Sequence, residues 1–414
     1  MNKKLMALAV GSVLAAPAVM AQTSTVTLYG RANLGLDNYQ ATGATNPNLD
    51  YKSRMRVYDT GSRIGVRGIE DLGGGLRAVF QIESGLNADT GNTLNQGGGQ
   101  NFSAGLLASR PSWVGLDGAF GRVLWGRQDV WWGNGTINQA AATYVNSETP
   151  WQTGNGRLGV GVSRQSNVFS YTTPTFGGFN ASAYWSPDTA AAGIPSSPGN
   201  TAAGTVFTNN EVTNASKSPN ARLLGLTARW AGGPIALQYD GVQKKTASDQ
   251  FVGGTPQNTA HKVGVGFTYA PGGQISLIAT NTRLKDNIGT GFVAGAALKQ
   301  NTFTLDWEHV FGNIQALAQF AIAQKVTGCG AGAAFAGTAA GTTLCDDSSA
   351  RAFMVGAKYL ASKRTGIYLT YNQLTNKANS YADYSGGGYS SGPLSATTAG
   401  ADPRIIALGV IHNF

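Results

Sequence analysis

The chain has 414 residues, of which 42% are hydrophobic, 12% are charged and 58 are glycine. Soluble domains average about 25% charged residues and about 7% glycine, so this composition argues against an ordinary water-soluble domain and suggests that much of the outer surface does not face water. The formal net charge of +9 is not concentrated in any basic run, which argues against a nucleic-acid-binding protein and leaves scattered surface charges or a cationic channel lumen as its explanation.

The first residues have the pattern of a secretory signal peptide. Lys3 and Lys4 precede an apolar run from Leu5 to Val19. Small residues follow the run, and the expected cleavage site lies after Ala21. A run of about 15 apolar residues is shorter than the roughly 20 that a membrane-spanning helix needs. The sequence therefore predicts a signal peptide at residues 1–21 and one exported domain at residues 22–414, without a transmembrane helix.

Apolar and polar residues alternate in many short stretches of the remaining chain, and turn-forming residues end each stretch. Near the end of the chain, Phe303 and Leu305 alternate with Thr304 and Asp306. This period of two predicts β-strands with one apolar face. Sixteen such stretches occur: residues 25–39, 54–69, 76–86, 108–118, 122–128, 164–173, 179–185, 221–230, 235–244, 261–270, 274–284, 299–310, 314–326, 351–360, 364–375 and 404–414.

The connections between these stretches alternate between short turns and long loops. This is the pattern of a transmembrane β-barrel, in which short turns lie on one side of the membrane and long loops on the other. An even number of antiparallel strands brings the first and last strands together, so that the sheet closes without exposed edges. We therefore predict an all-β fold, a sixteen-stranded antiparallel barrel wide enough for an aqueous channel. A soluble protein made of β-sandwiches is the alternative.

One long loop differs from the other segments in its pattern of apolar residues. They recur neither with the period of two that is typical of a strand nor with the period of 3.6 that is typical of a helix. The loop covers residues 129–163 and is rich in glycine, asparagine and threonine. Long loops without secondary structure are usually functional in compact proteins. We predict that this third external loop folds inward and narrows the channel.

Two cysteines, Cys329 and Cys345, lie in a loop rich in glycine and alanine. In an exported protein this arrangement favours a local disulfide. A metal site would need further ligands, and only Asp346 and Asp347 are close in sequence, so we predict neither a metal nor a cofactor.

Several stretches together resemble the general diffusion porins of Gram-negative outer membranes, specifically the trimeric porins of β-proteobacteria. They are VTLYGRANLGL, GSRIGVRGIEDLGGGLRAVFQIESG, ASRPSWVGLDGAFGRVLWGRQ, YTTPTFGGFNASAYWSP and the terminal IALGVIHNF. The aromatic C-terminal residue, Phe414, is similar to the signal that is read by the outer-membrane assembly machinery. The resemblance implies a homotrimer of sixteen-stranded barrels, each with the third external loop folded into its pore.

The resemblance also implies that arginines on the barrel wall face acids on the loop at the constriction. The matching residues are Arg63, Arg110 and Arg164 on the wall and Asp129 and Glu148 on the loop. Guanidinium groups stay charged at every relevant pH and attract anions in a narrow pore. The alternative is that the arginines stabilise the barrel by pairing with wall carboxylates such as Glu70, Asp71 or Glu83.

The leading hypothesis is therefore an outer-membrane channel for passive diffusion of small hydrophilic solutes and ions, with a preference for anions. Its expected partners are further copies of the chain, outer-membrane lipid and lipopolysaccharide, and no nucleic acid. Two alternatives remain: an adhesin that works through the long loops at residues 186–219 and 376–403, and a substrate-specific channel. We do not expect an enzyme, because the three histidines accompany no nucleophile motif.

Overall fold

The computed structural model describes residues 24–86, 88–89, 107–131, 164–187, 222–245, 257–285, 297–329, 345–383 and 398–414. These residues form seventeen β-strands and one 3-10 turn, Pro47–Leu49. The strands are β1 (Thr25–Thr42), β2 (Tyr51–Asp59), β3 (Arg63–Gly73), β4 (Leu76–Gly85), β5 (Ser112–Gly118), β6 (Gly121–Asp129), β7 (Arg164–Thr172), β8 (Phe179–Ser186), β9 (Arg222–Gly232), β10 (Ile235–Lys245), β11 (Gln257–Ala270), β12 (Gly273–Lys285), β13 (Ala297–Phe311), β14 (Ile314–Ala323), β15 (Ala350–Leu360), β16 (Thr365–Asn376) and β17 (Asp402–Asn413).

All seventeen strands belong to one antiparallel sheet that closes on itself. From β3 onward each strand pairs with the next along the chain, and β17 pairs with β1. On its other side β1 pairs with two strands, with β2 over Leu34 to Ala41 and with β3 over Thr25 to Arg31. Because β2 and β3 occupy one position in the barrel, the seventeen strands make a sixteen-stranded barrel, which confirms the predicted fold class.

The second predicted strand, residues 54–69, is wrong as one continuous strand, because the structure interrupts it at residues 60–62. Gly61 has a φ of 73°, a conformation that favours glycine. The backbone groups of the break find side-chain partners: the Ser62 amide donates to Asp59 Oδ1 over 3.1 Å, and Asn33 Nδ2 donates to the Thr60 carbonyl over 3.1 Å. Because of these contacts, the Ser62 amide and the Thr60 carbonyl keep hydrogen-bond partners where the chain leaves the regular strand pairing.

Two predicted strand ends are also wrong, by four residues each. The strand expected at residues 108–118 begins at Ser112, since Pro111 has no amide hydrogen to donate and Ala108 has a φ of 68°. The strand expected at residues 261–270 begins at Gln257. Its first three residues are polar on both faces, so the apolar alternation that predicts the rest of the strand does not reveal them.

The two faces of the sheet differ as the alternation predicted. In β13, Phe303 and Leu305 are 41% and 47% exposed, whereas Thr304 and Asp306 on the other face are 1% exposed. The apolar face forms the outside of the barrel, where lipid would contact it. None of the helices within the described ranges is long and apolar enough to cross a membrane.

Close packing at the seam between β1 and β17 depends on two glycines. Gly35 pairs with Gly409 across the seam, and a Cβ on Gly409 would lie 2.4 Å from the Tyr368 ring. The missing side chains make room for Tyr58 and Tyr368, and the Tyr58 hydroxyl donates to that of Tyr368 over 2.9 Å. This tyrosine pair bridges the inner side of the seam.

Candidate pore constriction

Glu83 is the centre of the first half of the site. It lies in β4, and its Oε1 accepts a hydrogen bond from Arg110 Nε. Its Oε2 accepts a hydrogen bond from the Tyr29 hydroxyl over 3.0 Å and lies 3.8 Å from Arg63 Nε. One carboxylate therefore positions two guanidinium groups, and the two positive charges are only half neutralised.

The position of this group on the inner face follows from strand alternation. Ile64 and Ile82 point outward and are 38% and 46% exposed. Their neighbours Arg63 and Glu83 therefore point into the barrel. Among the described contacts Glu70 and Asp71 form no ion pair with these arginines, so Glu83 is the wall carboxylate that they use.

Asp129 and Arg164 form the second half of the site. Arg164 Nε donates to Asp129 Oδ1 over 2.9 Å, and the two residues are cross-strand partners in β6 and β7. The family resemblance implies that Asp129 lies on the loop opposite the arginines, whereas the structure places it at the end of β6 beside Arg164. Arg164 also lies within electrostatic range of Arg63, so the two halves form one cluster.

Arg127 is a fourth arginine of this cluster, and neither strand alternation nor the family resemblance indicates it. Its Nη1 donates to Ser166 Oγ over 2.7 Å and its Nε donates to the Ser109 carbonyl over 3.1 Å. It lies within electrostatic range of Arg164 and Asp129. Both hydrogen-bond acceptors are neutral, so Arg127 adds a positive charge to the cluster.

The reason that alternation missed Arg127 is a β-bulge. The register between β6 and β7 shifts between Gly126 and Gln128, and Gly126 and Asn167 have φ values of 138° and 56°. Strict alternation from Trp125, which points outward, would also put Arg127 outside. A bulge changes the direction of side chains that follow it.

We call these six residues the arginine cluster: Arg63, Arg110, Arg127, Arg164, Glu83 and Asp129. Four positive and two negative groups give a formal charge of +2. Glu148, the other acid predicted at the constriction, lies outside the described residues.

The chain after Asp129 contacts the inner wall of the barrel along the next five strands, β7 to β11. Val130 and Trp131 are 1% exposed and belong to one buried cluster whose other members come from β7 to β11: Val168, Tyr184, Leu223, Val242 and Ala260. Lys262 of β11 donates to the Trp131 carbonyl over 3.0 Å, and its ammonium group lies 4.8 Å from the centre of the Trp131 ring.

Lys262 itself is held by a buried ion pair. Its Nζ lies 3.1 Å from Asp240 Oδ2, and the Lys262 and Asp240 side chains are 3% and 1% exposed. Asp240 accepts further hydrogen bonds from Thr227 over 2.8 Å and from Gln238 over 2.7 Å. These contacts fix the ammonium group that binds Trp131.

Cys329 and Cys345 are joined by a disulfide between β14 and β15, with Cα atoms 6.0 Å apart. The pair packs against a small cluster formed by Leu284, Leu298 and Val326. In the described part of the chain, no group of three or more histidines, cysteines or acids could hold a metal ion.

Comparisons with known proteins agree with the barrel fold. Residues 6–379 match the family model of Gram-negative porins. Outer membrane porin protein 32 of Delftia acidovorans is 29% identical over 428 aligned residues, which cover 100% of both chains. An outer membrane porin of Bordetella pertussis is 32% identical over 274 residues, 61% of this chain and 62% of the relative.

A solved structure has the same fold. The anion-selective porin from Comamonas acidovorans superposes with a TM-score of 0.64 at 24% identity, covering 94% of this chain and 100% of that one. Together with the family match over most of the sequence, the closed barrel identifies an outer-membrane channel protein. The chain belongs to the Gram-negative porin family.

Proposed function

We propose that this porin, a diffusion channel of the outer membrane, passes small hydrophilic anions in preference to cations, and that the arginine cluster sets this preference. The observation that carries the proposal is the charge of the cluster, because four guanidinium groups share two carboxylates on the inner face. A cleft lined by one sign of charge raises the local concentration of its counter-ion. Fixed arginines therefore favour entry of anions, and the two carboxylates keep binding weak enough for release.

The inward course of the third external loop belongs to the same proposal. Val130 and Trp131 are buried against inner-face residues of β7 to β11, which supports a loop that crosses the lumen. A loop in this position would narrow the water-filled space beside the arginine cluster. Narrowing strengthens the field that a permeating ion experiences, because fewer water molecules screen it.

Two other parts of the proposal, the homotrimer and lipopolysaccharide among the surrounding outer-membrane lipids, are what membership of the porin family suggests. Cleavage of residues 1–21 rests on the signal-peptide pattern of Lys3, Lys4 and the apolar run that follows them. The absence of enzymatic activity also stays a prediction, which the porin relatives support.

The test is a planar-bilayer recording in a potassium chloride gradient with the triple variant Arg63→Ser, Arg110→Ser, Arg164→Ser. The formal charge of the cluster changes from +2 to −1, since one arginine would remain beside two carboxylates. We expect the reversal potential to shift from the sign of an anion-selective channel toward that of a cation-selective channel.

The matched control is the triple lysine variant at the same positions. It keeps the charge while losing the guanidinium geometry, so the anion preference should persist. Heat-modifiable migration in gel electrophoresis shows whether each variant has folded as a barrel. An unchanged reversal potential in the folded serine variant would remove these residues from the constriction.

A further inference from the structure

Arg67 faces the lumen on the short-turn side of the arginine cluster. It follows Arg63 by four residues in β3, and the pairing of β3 with β4 has no register shift between Arg63 and Asp71. Residues that are four apart in a regular strand lie on the same face, so Arg67 points into the barrel like Arg63. The two residues are about 13 Å apart along the strand, since each residue adds about 3.3 Å. Arg67 is therefore on the same wall as the cluster but separate from it.

The side chain of Tyr29 lies between Arg67 and the arginine cluster. Its hydroxyl donates to Glu83 Oε2 over 3.0 Å, and the Arg67 Cζ atom lies 5.3 Å from the centre of its ring. Gly65 makes room for this ring, because a Cβ at Gly65 would lie 2.5 Å from Tyr29 Cζ. A contact with an aromatic ring attracts a guanidinium group without removing its charge. Tyr29 therefore positions Arg67 and leaves its positive charge in place.

No acid neutralises Arg67 within the part of the chain that the structure describes. Its cross-strand partners on the two sides, Thr27 and Gln81, are neutral. None of the ion pairs between described residues includes Arg67. The residue is also exposed. Arg67 therefore presents a full positive charge to the water in the lumen.

The charges closer to the short turns balance one another on this wall. Asp117 accepts ion pairs from Arg77 Nη2 at 3.3 Å and from Arg122 Nη2 at 2.7 Å. Asp71 is the inward-facing acid at the end of β3, so two acids accompany these two arginines. On the inner face of β3 to β6, as far as the structure describes it, Arg67 is thus the last positive charge without a matching acid before the short-turn end.

The hydrogen-bond donors of Arg67 are available to a solute. In the cluster, Arg110 and Arg164 each use Nε to hold a carboxylate. The Arg67 side chain donates to no other residue in the described ranges. A guanidinium group presents its N–H donors in a planar fork, which matches two oxygens of one carboxylate, sulfate or phosphate group. A chloride ion is a single acceptor atom and cannot use the fork in this way.

We propose that Arg67 forms a second anion-binding site of the channel, on the periplasmic side of the arginine cluster, and that this site favours solutes whose charge lies on an oxyanion group. The proposal rests on the proposed function, in which the short turns of the barrel are periplasmic. A solute that leaves the cluster binds Arg67 before it enters the periplasm. Weak binding at two successive sites keeps the solute in the path and still allows its release.

The experiment records the chloride current through single channels of the complete protein at low ionic strength, with sulfate added to one side and then to the other. Sulfate bound at Arg67 should reduce the chloride current, because a divalent anion in the path repels chloride. The variant Arg67→Gln should raise the sulfate concentration for half-block about tenfold, since a charge-assisted contact is lost. The increase should be larger for sulfate added on the short-turn side, which reaches Arg67 before the cluster.

A second variant, Arg67→Lys, separates the guanidinium fork from the charge. It keeps the positive charge but loses the planar pair of donors, so its half-block concentration should lie between those of the unaltered protein and Arg67→Gln. A half-block concentration equal to that of the unaltered protein in both variants would overturn the proposal. Heat-modifiable migration in gel electrophoresis shows that each recorded variant has folded as a barrel.

The matched control is Arg77→Gln, which removes one positive charge from the same wall near the short turn. Arg77 shares its carboxylate with Arg122, so its charge is compensated, and the variant should keep the sulfate block of the unaltered protein. An equal loss of block in Arg77→Gln and Arg67→Gln would mean that overall charge sets the block, which would overturn the proposal.

Two readouts distinguish this proposal from the proposed function. The reversal potential of the unaltered protein tests the anion preference, whereas the change in sulfate block between the unaltered protein and Arg67→Gln tests the second site. A weaker block in Arg67→Gln supports the site even if the reversal potential has the cation sign. An unchanged block overturns the site even if the reversal potential has the anion sign.

Discussion

At the scale of single residues, Glu83 controls how much positive charge the lumen presents. It holds Arg63 and Arg110 in place and neutralises one of them. Replacement by glutamine removes the negative charge but keeps an amide oxygen that can accept from Arg110, while the amide NH2 can donate to the Tyr29 hydroxyl oxygen in place of the present contact. The formal charge of the cluster rises from +2 to +3.

We therefore predict that Glu83→Gln increases the anion preference. One unit charge 4 Å from a permeating ion contributes about 1 kcal/mol in bulk water, which corresponds to about a fivefold change in ion distribution. The reversal potential in a salt gradient measures this change and should move further in the anion direction.

The chain offers a matched control in Asp117. This carboxylate also serves two arginines, with Arg77 Nη2 at 3.3 Å and Arg122 Nη2 at 2.7 Å, but it lies beside the short turn between β5 and β6. Asp117→Asn makes the same charge change outside the cluster and should shift the reversal potential less. A shift as large as that of Glu83→Gln would mean that selectivity depends on overall charge and not on the cluster.

At the scale of elements, the buried ion pair between Lys262 and Asp240 fixes the chain that leaves β6. Removing one partner of a buried pair costs about 3–5 kcal/mol, because the other charge stays buried. We predict that Lys262→Met lowers the temperature at which the folded barrel converts to the unfolded gel form. The same variant should make the channel current noisier, since Trp131 loses its hydrogen bond and its cation–π contact with Lys262.

The double variant Lys262→Met, Asp240→Asn separates these two effects. Without the buried carboxylate it should regain part of the lost thermal stability, while the current stays noisy because Trp131 still lacks its hydrogen bond to residue 262. If both variants keep a quiet current, the contact between Lys262 and Trp131 does not hold the loop.

The disulfide acts on a different element. Its cysteines are 16 residues apart, and closing a loop of about this length stabilises a fold by up to about 3 kcal/mol in the chain-entropy model. The variant Cys329→Ser, Cys345→Ser should unfold at a lower temperature with unchanged selectivity, because the pair packs on β12 and β13, away from the arginine cluster.

A reducing agent provides the control for the disulfide. It should lower the unfolding temperature of the unaltered protein and leave that of the double serine variant unchanged. An equal response of both proteins would show that the reductant acts elsewhere.

At the scale of the whole molecule, the sequence predicts the number of strands well because the alternation repeats in sixteen stretches with turn signals between them. It does not predict the break at residues 60–62, since that break depends on Asn33 of a neighbouring strand. It also misses Arg127, because a bulge reverses the direction that alternation assigns. The contact of Trp131 with Lys262 joins residues 131 positions apart, and no local pattern specifies it.

Selectivity is likewise a property of the whole channel, because every charged group along the lumen contributes to the field. The arginine cluster dominates only if the channel is narrowest there. The proposed anion preference is therefore tested most directly by the sign of the reversal potential of the unaltered protein.

The most direct measurement is the reversal potential of the purified, unaltered porin in a planar bilayer with a potassium chloride gradient. Potassium and chloride have similar mobilities in water, so the sign of the reversal potential reflects the selectivity of the channel and not a difference in ion mobility. We expect an anion-directed reversal potential that becomes smaller as salt screens the arginines. A potential of zero or in the cation direction at low salt would contradict it.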